Sequence, residues 1–369
     1  MAKIFKSIYT YLKSTDKFLL VCTLLCAAVG ILMVNSATII SGSHKQVITQ
    51  IAAMIIGLVM MVILSVISYQ FWNQITKGVI VIGIMILVAT LIFAKTINGS
   101  KSWIQIFGVS IQPSEFVKLF FILSLSAHLS AVDENINRIS NVLLLAAHVL
   151  VYVLLVYAQG DMGSAIVYLV IALAMLFIAG LSWKYFLAMG IALIPLGFIM
   201  YKFVLDEYQI RRILVIFNPE LDPLNYGWQT IRSVTAIGSG KLTGQGYANG
   251  LMTQRGLIPS IQNDSIFAAI GEELGFIGSV LILILLTAML LRILKTSTLA
   301  HDTNGTYICI GVFAMLAFQM IENIGMSLGL LPIIGITLPF FSAGGSSMIA
   351  VFAGIGLVLS VYRSKSMFD

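Results

Sequence analysis

The side chains best placed for chemistry in this sequence are a few acids at the edges of apolar segments. Asp264 lies in Ile261-Gln262-Asn263-Asp264-Ser265-Ile266-Phe267, where a polar stretch gives way to an apolar one. A carboxylate at such a boundary is half desolvated, which raises its proton affinity toward that of a usable general base. Glu272 and Glu273 follow inside the apolar segment. Acids within a span are functional candidates; the alternative is a structural pair bonded to nearby arginine or backbone. In Gln112-Pro113-Ser114-Glu115-Phe116-Val117-Lys118, Pro113 suits the first turn of a helix, and the spacing of Glu115 and Lys118 puts them on one face, where they can pair. Asp161, in Gln159-Gly160-Asp161-Met162-Gly163, is a further acid or simply the cap of the next helix. Trp103 on its own reads as an interfacial belt residue.

A glycine-rich run, AIGSGKLTGQGYANG, contains Gly238, Gly240, Gly244, Gly246 and Gly250. Backbone N–H groups of such a run can approach an anion closely. Arg211, Arg212, Arg232, Lys241 and Arg255 share the same loop. Arginine with glycine points to phosphate or pyrophosphate; the alternative is a turn-rich loop without a ligand. The run is not a Walker A loop, because Leu242 follows Lys241 where Ser or Thr is needed. His44, His128, His148 and His301 have no metal spacing, and no Ser-His-Asp set or nucleotide fingerprint is present. No metal site is read from these residues.

The elements that must hold these groups follow from composition. Of 369 residues, 59% are hydrophobic and 10% charged, against roughly 45–50% and 25% in a soluble domain. So few charges cannot cover a soluble globule, and disorder needs the opposite balance. Stretches of ~17–25 apolar residues occur at 18–38, 47–67, 78–94, 115–131, 142–158, 162–180, 185–204, 268–291, 304–326 and 345–362. The expectation is an all-α polytopic membrane protein of about ten transmembrane helices, since backbone in lipid must bond within its own segment. No domain boundary appears, so 1–369 reads as a single transmembrane domain.

Charge sets the expected orientation. The net charge is +6, from 21 Lys and Arg against 15 Asp and Glu. In a soluble protein this would suggest nucleic acid; here it reflects basic residues gathered on the cytoplasmic side, and no nucleic-acid partner is expected. With the N-terminus inside, that side holds Lys3, Lys6, Lys13, Lys17, Lys77, Arg138, Lys184, Arg292, Lys295, Arg363 and Lys365, while the short outside loops hold Lys45, Lys95 and Lys101. Both termini are therefore expected in the cytoplasm of a multi-pass membrane protein. Residues 1–17 read as a short interfacial helix without a cleavage site. Residues 205–267 read as a long outer loop, of a length that is usually functional. A second polar outer segment spans 96–113. The run 329–345, GLLPIIGITLPFFSAGG, should break a helix, and broken backbone at membrane depth is tolerated where it is buried in protein or lines a cavity. Cys22, Cys26 and Cys309 read as small buried hydrophobes.

Four ordered stretches resemble the SEDS family (shape, elongation, division and sporulation), the group of RodA, FtsW and SpoVE, with RodA the nearest in pattern. They are Asn98-Gly99-Ser100-Lys101-Ser102-Trp103-Ile104 followed by QPSEFVK, then GWQTIRSVTAIGSGKLTGQG, then NDSIFAAIGEELGFIG, then NIGMSLGLLPIIGITLPFFSAGGSS. The resemblance covers nearly the whole chain. It implies a peptidoglycan glycosyltransferase that polymerises lipid II into glycan outside the cytoplasmic membrane, beside a class B penicillin-binding protein that crosslinks the product. Asp264 matches the family's catalytic aspartate in Thr-Asp-Phe-Ile-Phe, with Asn263 and Ser265 in place of Thr and Phe. Trp103, Glu115 and Lys118 match positions important for activity. Asp161 matches Gln-Pro-Asp-Leu-Gly with Gly160 for Pro. Ala343 stands where Tyr is usual before Gly-Gly-Ser-Ser, and Arg232 where Gln is usual.

The expected reaction is one inverting displacement, because the donor sugar is α-linked and the product β. Asp264 takes the proton of the acceptor's 4-hydroxyl. Arg211, Arg212 and Lys118 are the cations expected to meet the departing polyprenyl pyrophosphate. Gly238, Gly240, Lys241, Gly244, Asp161, Glu272 and Glu273 complete the candidate substrate-binding set. A divalent cation, Mg or Mn, bridging pyrophosphate to a carboxylate is the one cofactor left open. Two rivals remain at this point. One is a transporter that flips lipid-linked precursor, since broken segments and intramembrane acids also suit transporters. The other is a non-catalytic scaffold, which would have no use for Asp264.

Overall fold

The structure, a computed structural model, describes residues 13–42, 44–97, 100–106, 109–204 and 226–365, with 210, 211, 214, 215 and 218 between them. The interfacial helix expected over 1–17 falls largely outside the described residues, as do Asn98, Gly99 and Arg212.

In chain order the helices are α1 (Lys17–Thr38), α2 (Lys45–Val66), the short α3 (Tyr69–Gln74) and α4 (Thr76–Phe93). Three strands follow, β1 (Lys95–Ile97), β2 (Ser100–Ile106) and β3 (Val109–Ile111). Then come α5 (Pro113–Val132), α6 (Ile139–Ala158), α7 (Met162–Ile178), α8 (Trp183–Ile199), α9 (Tyr226–Ser239), the single turn α10 (Leu251–Gln254), α11 (Ile266–Ser297), α12 (Thr303–Ser327) and α13 (Gly345–Lys365). Among the described residues eight helices are long and apolar enough to cross a membrane, and α7 is a shorter apolar helix of 17 residues. Pro195 lies inside α8, where it removes the bond to the carbonyl four residues earlier, and α8 passes into a π-turn at Met200–Val204.

The helices begin where the chemistry of their ends allows. Asp16 caps α1 by accepting from the Leu19 N–H at 3.1 Å, and it also pairs with Arg292 of α11. Pro113 opens α5 with Glu115 in its first turn, where a negative charge complements the helix dipole. The central helix is α12, which packs against α11, α7, α5 and α13. Its neighbour α13 is the most enclosed span, with 83% of its apolar window buried, so these two form the inner wall on which the rest of the bundle rests.

One end of the bundle carries what the helical pattern did not reveal. The segment read only as polar and glycine-bearing folds into a three-stranded antiparallel sheet in the order β1-β2-β3, with Lys95 opposite Trp103 and Ile104 opposite Ile111. Strands this short are invisible among longer helical periodicities. The sheet is anchored to the end of α6: the Lys101 N–H and Ser100 Oγ both donate to the Gln159 carbonyl, at 2.7 and 3.1 Å.

At the same end α11 is broken. Gly275 has φ 67° and ψ −166°, so the helix is interrupted inside its apolar length. The glycine-rich run of 238–250 docks onto this break. Gln245 and Gly246 donate their N–H groups to the Glu272 and Glu273 carbonyls (both 3.0 Å), while Phe276 and Ile277 donate to the Lys241 and Leu242 carbonyls (2.9 and 3.1 Å). Backbone groups freed in lipid must find partners within the protein, and here a preceding loop supplies them. The approach is so close that a Cβ on Gly240 would collide with the Gly271 carbonyl oxygen, and one on Gly244 (φ 78°) with that of Glu273.

Candidate active site

The sheet-end termini of α5, α7, α11 and α13, together with β2 and the irregular residues 328–344, enclose a cavity of about 470 Å³. Asp264 stands on its wall, half-buried, at the end of a run of turns before α11. Three elements hold that run. Asn323 Nδ2 of α12 donates to the Asp264 carbonyl and to the Ile336 carbonyl, each at 2.8 Å. Gln229 Nε2 of α9 donates to Ser265 Oγ at 2.9 Å. The Ala343 N–H donates to the Gln262 carbonyl at 2.7 Å. The aspartate's backbone is thus fixed from α9, from α12 and from the irregular segment.

Asp161 lies on the same wall and does two things. Its Oδ1 accepts from the Ser164 N–H at 3.0 Å, capping α7, and its Oδ2 accepts from Gln112 Nε2 at 2.7 Å. Trp103, half-buried on β2, completes the group. Hydroxyls of Ser100, Ser102, Thr337, Ser346 and Ser347 add to a polar lining suited to a hydroxyl-rich ligand. The helix-breaking run 329–345 behaves as its sequence demands. Its backbone is partly buried and partly forms the cavity floor, with Gln50 Nε2 donating to the Ser342 carbonyl and the Gly344 N–H donating to Gln50 Oε1.

Behind this cavity a smaller pocket of about 30 Å³ shares Gln112 and Asp161 and is lined by Glu115, Lys118 and Gln319. Lys118, 1% exposed, donates to Glu115 Oε1 at 2.7 Å, the contact that their spacing allows. Among the described residues on the two linings, Lys118 is the one cation, and it lines the small pocket with Glu115 and Asp161. Among the described residues no three His, Cys, Asp or Glu side chains gather as a metal site, and both oxygens of Asp161 already accept hydrogen bonds.

Other candidates lie elsewhere. Glu272 is fully buried and accepts from the Met252 and Thr253 N–H groups and from Thr253 Oγ1, at 2.7–2.9 Å. Glu273 accepts from Ser36 Oγ, Gln254 Nε2 and the Ala248 N–H. Both are tied into the plug on α11 rather than the cavity. Gly240 and Gly244 belong to that plug: their N–H groups donate to the Ile237 and Gly240 carbonyls within the loop, and their lack of side chain lets the loop approach the helix break. Gly238 faces open space, and Lys241 is exposed with φ 49°. Arg211 is exposed and absent from both linings. Arg232 lies over the Trp228 ring, 4.0 Å from its centroid. One acid beside the site went unread: Glu322, in α12, is 2% exposed and within electrostatic range of Asp264. A charged residue inside the apolar stretch 304–326 was the signal that could have found it.

The chain matches the FtsW/RodA/SpoVE family model, described as a cell cycle protein, over residues 16–367. It is 36% identical to stage V sporulation protein E of Bacillus subtilis, covering 95% of this chain and 97% of that protein. It is 32% identical to the peptidoglycan glycosyltransferase MrdB of Escherichia coli, over 96% of each. Among solved structures it resembles a chain of a peptidoglycan synthase complex that coordinates polymerization and crosslinking (TM-score 0.82, 28% identity, 95% of this chain and 98% of that one). It also resembles the rod shape determining protein RodA of Thermus thermophilus (TM-score 0.72, 27% identity, 95% and 97%).

Proposed function

The chain belongs to the FtsW/RodA/SpoVE family of cell cycle proteins, it is a peptidoglycan glycosyltransferase and a multi-pass membrane protein, and we propose that it polymerises lipid II with Asp264 as general base. The observation that carries the assignment is the placement of Asp264 on the wall of the 470 Å³ cavity beside Trp103 and Asp161. In this reading the acceptor's 4-O–H bond breaks and its proton passes to Asp264. The oxygen bonds to C1 of the donor sugar as the C1–O bond to pyrophosphate breaks, inverting that carbon and releasing undecaprenyl pyrophosphate. Pyrophosphate leaves without a general acid, so a single base suffices. Lys118 supplies positive charge near the leaving group, with Glu115 orienting it. Asp161 and the surrounding hydroxyls bind sugar.

The sheet end is the outer face in this proposal, which puts both termini in the cytoplasm. The lysine and arginine asymmetry of the loops supports it. The chain acts as one unit over 1–369, with 205–267 as its large extracytoplasmic loop. Its partner is a class B penicillin-binding protein that crosslinks the new strand, a reading supported by the likeness to a synthase complex.

Purified protein supplied with lipid II tests the assignment. Wild type should yield glycan, and Asp264→Ala should yield none while melting at the same temperature. Normal polymerisation by that variant would overturn the role of Asp264. Movement of labelled lipid across vesicles without glycan from the wild type would overturn the enzyme in favour of a flippase.

A further inference from the structure

Among the described residues five carboxylates are buried: Asp16, Glu115, Glu272, Glu273 and Glu322. Four have hydrogen-bond donors. Glu322 is the least supplied: neither oxygen has a donor at full hydrogen-bond geometry, and the Ile334 N–H is the one backbone group that acts on it. The acceptor oxygens of Gln319 and Asn323 on the same stretch of α12 are also without a donor. Buried polar atoms left in this state are uncommon and costly unless a proton or a partner group compensates them.

Position suggests what compensates Glu322. It adjoins Asn323, whose Nδ2 grips the Asp264 carbonyl, and Asp264 itself acts on Glu322 electrostatically. Gln319, one turn earlier, lines the small pocket of Glu115 and Lys118. α12 therefore carries a carboxyl group behind the wall on which the proposed base stands. Two carboxyl groups in range of each other in a poorly solvated site do not ionise independently, and their protons leave in steps that belong to the pair.

We propose that Glu322 is a positioning residue of the transfer reaction, acting on the acceptor's proton through Asp264, with which it ionises as one coupled pair. The covalent step stays as written above, with the hydroxyl proton passing to Asp264. Glu322 governs how tightly Asp264 holds it. The other ionisable groups near the sheet-end half of α12 are accounted for. From α7 there are Asp161, bonded to Ser164 and Gln112, and Tyr168, bonded to the Ser114 carbonyl. From α5 there is the Glu115–Lys118 pair. From α11 there are Glu272 and Glu273, bonded to the plug. From α9 there is Arg232, over Trp228. The ionisable residues of α13 all lie at its opposite end.

The inference rests on the reading of Asp264 as base, and the experiment separates the two. The pH dependence of lipid II polymerisation is measured for full-length wild type, E322Q, E322D and D264A. Glu322→Met, a second neutral variant that needs no donor, stands in if E322Q does not fold. Wild type and E322D should show two carboxyl inflections and the neutral variants one, with kcat altered unequally across pH by up to about tenfold, the effect of one pKa unit of coupling. A neutral variant whose profile keeps the wild-type shape, at full or uniformly lowered rate, overturns the proposal and leaves Glu322 a packing residue. If D264A is inactive in that case, the base assignment stands alone; if D264A is active, both fall.

Discussion

Two breaks at the sheet end, at Gly275 in α11 and across 328–344 between α12 and α13, are treated in opposite ways. The first is closed. A loop fills it, every carbonyl and amide named above is matched, and its acids Glu272 and Glu273 are held by several donors each. The second is open. Its backbone forms a cavity floor, and the acid behind it, Glu322, has no donor at full hydrogen-bond geometry, with only the Ile334 N–H acting on it. Both have carboxylates beside them within apolar spans, so depth does not distinguish structure from chemistry. The supply of donors does: a fully bonded acid spends its lone pairs on the fold, and one left short is free to exchange a proton.

The contrast can be broken or sharpened by substitution at either break. Asp264→Asn keeps shape and removes the base, so turnover should fall by about 10³-fold, within the range for general-base loss, with an unchanged melting curve in detergent. Glu272→Ala should do the reverse. It strands two backbone amides and a hydroxyl, costing about 3 kcal/mol or more, seen as a lower melting temperature with undiminished turnover per folded molecule. Gly244→Ala should cost about 2 kcal/mol, because its left-handed backbone and the facing Glu273 carbonyl leave no room for a methyl group. The smallest effect is expected from Ser265→Ala, which loses one bond from Gln229: about 1 kcal/mol and a few-fold slower turnover as the run bearing Asp264 loosens. Equal loss of stability from Asp264→Asn and Glu272→Ala would erase the distinction between the two regions.

The spans were legible because lipid imposes length and apolarity on each helix separately. The observed bounds of α1, α4 and α12 lie within a residue or two of the apolar stretches that announced them. The pairing of Glu115 with Lys118 was also local, three residues on one helix. What escaped depends on partners distant in sequence. Nothing in the glycine-rich run says that its amides meet α11 and not a phosphate, since both uses ask for glycine. Nothing in the spacing of Glu272 says that Thr253 waits for it. Glu322 escaped for another reason: its apolar neighbours along the same span masked one charge. The sheet at 95–111 was hidden by the brevity of its strands.

The plug on α11 bears on how the molecule is made. Residues 240–254 leave the ribosome before the helix they complete, and Ser36, which reaches Glu273, leaves earlier still. Each partner of the interrupted segment is therefore already synthesised when that segment enters the bilayer. An acidic, kinked stretch that would insert poorly by itself is received by a prepared socket, and the order of translation becomes part of what makes the kink affordable.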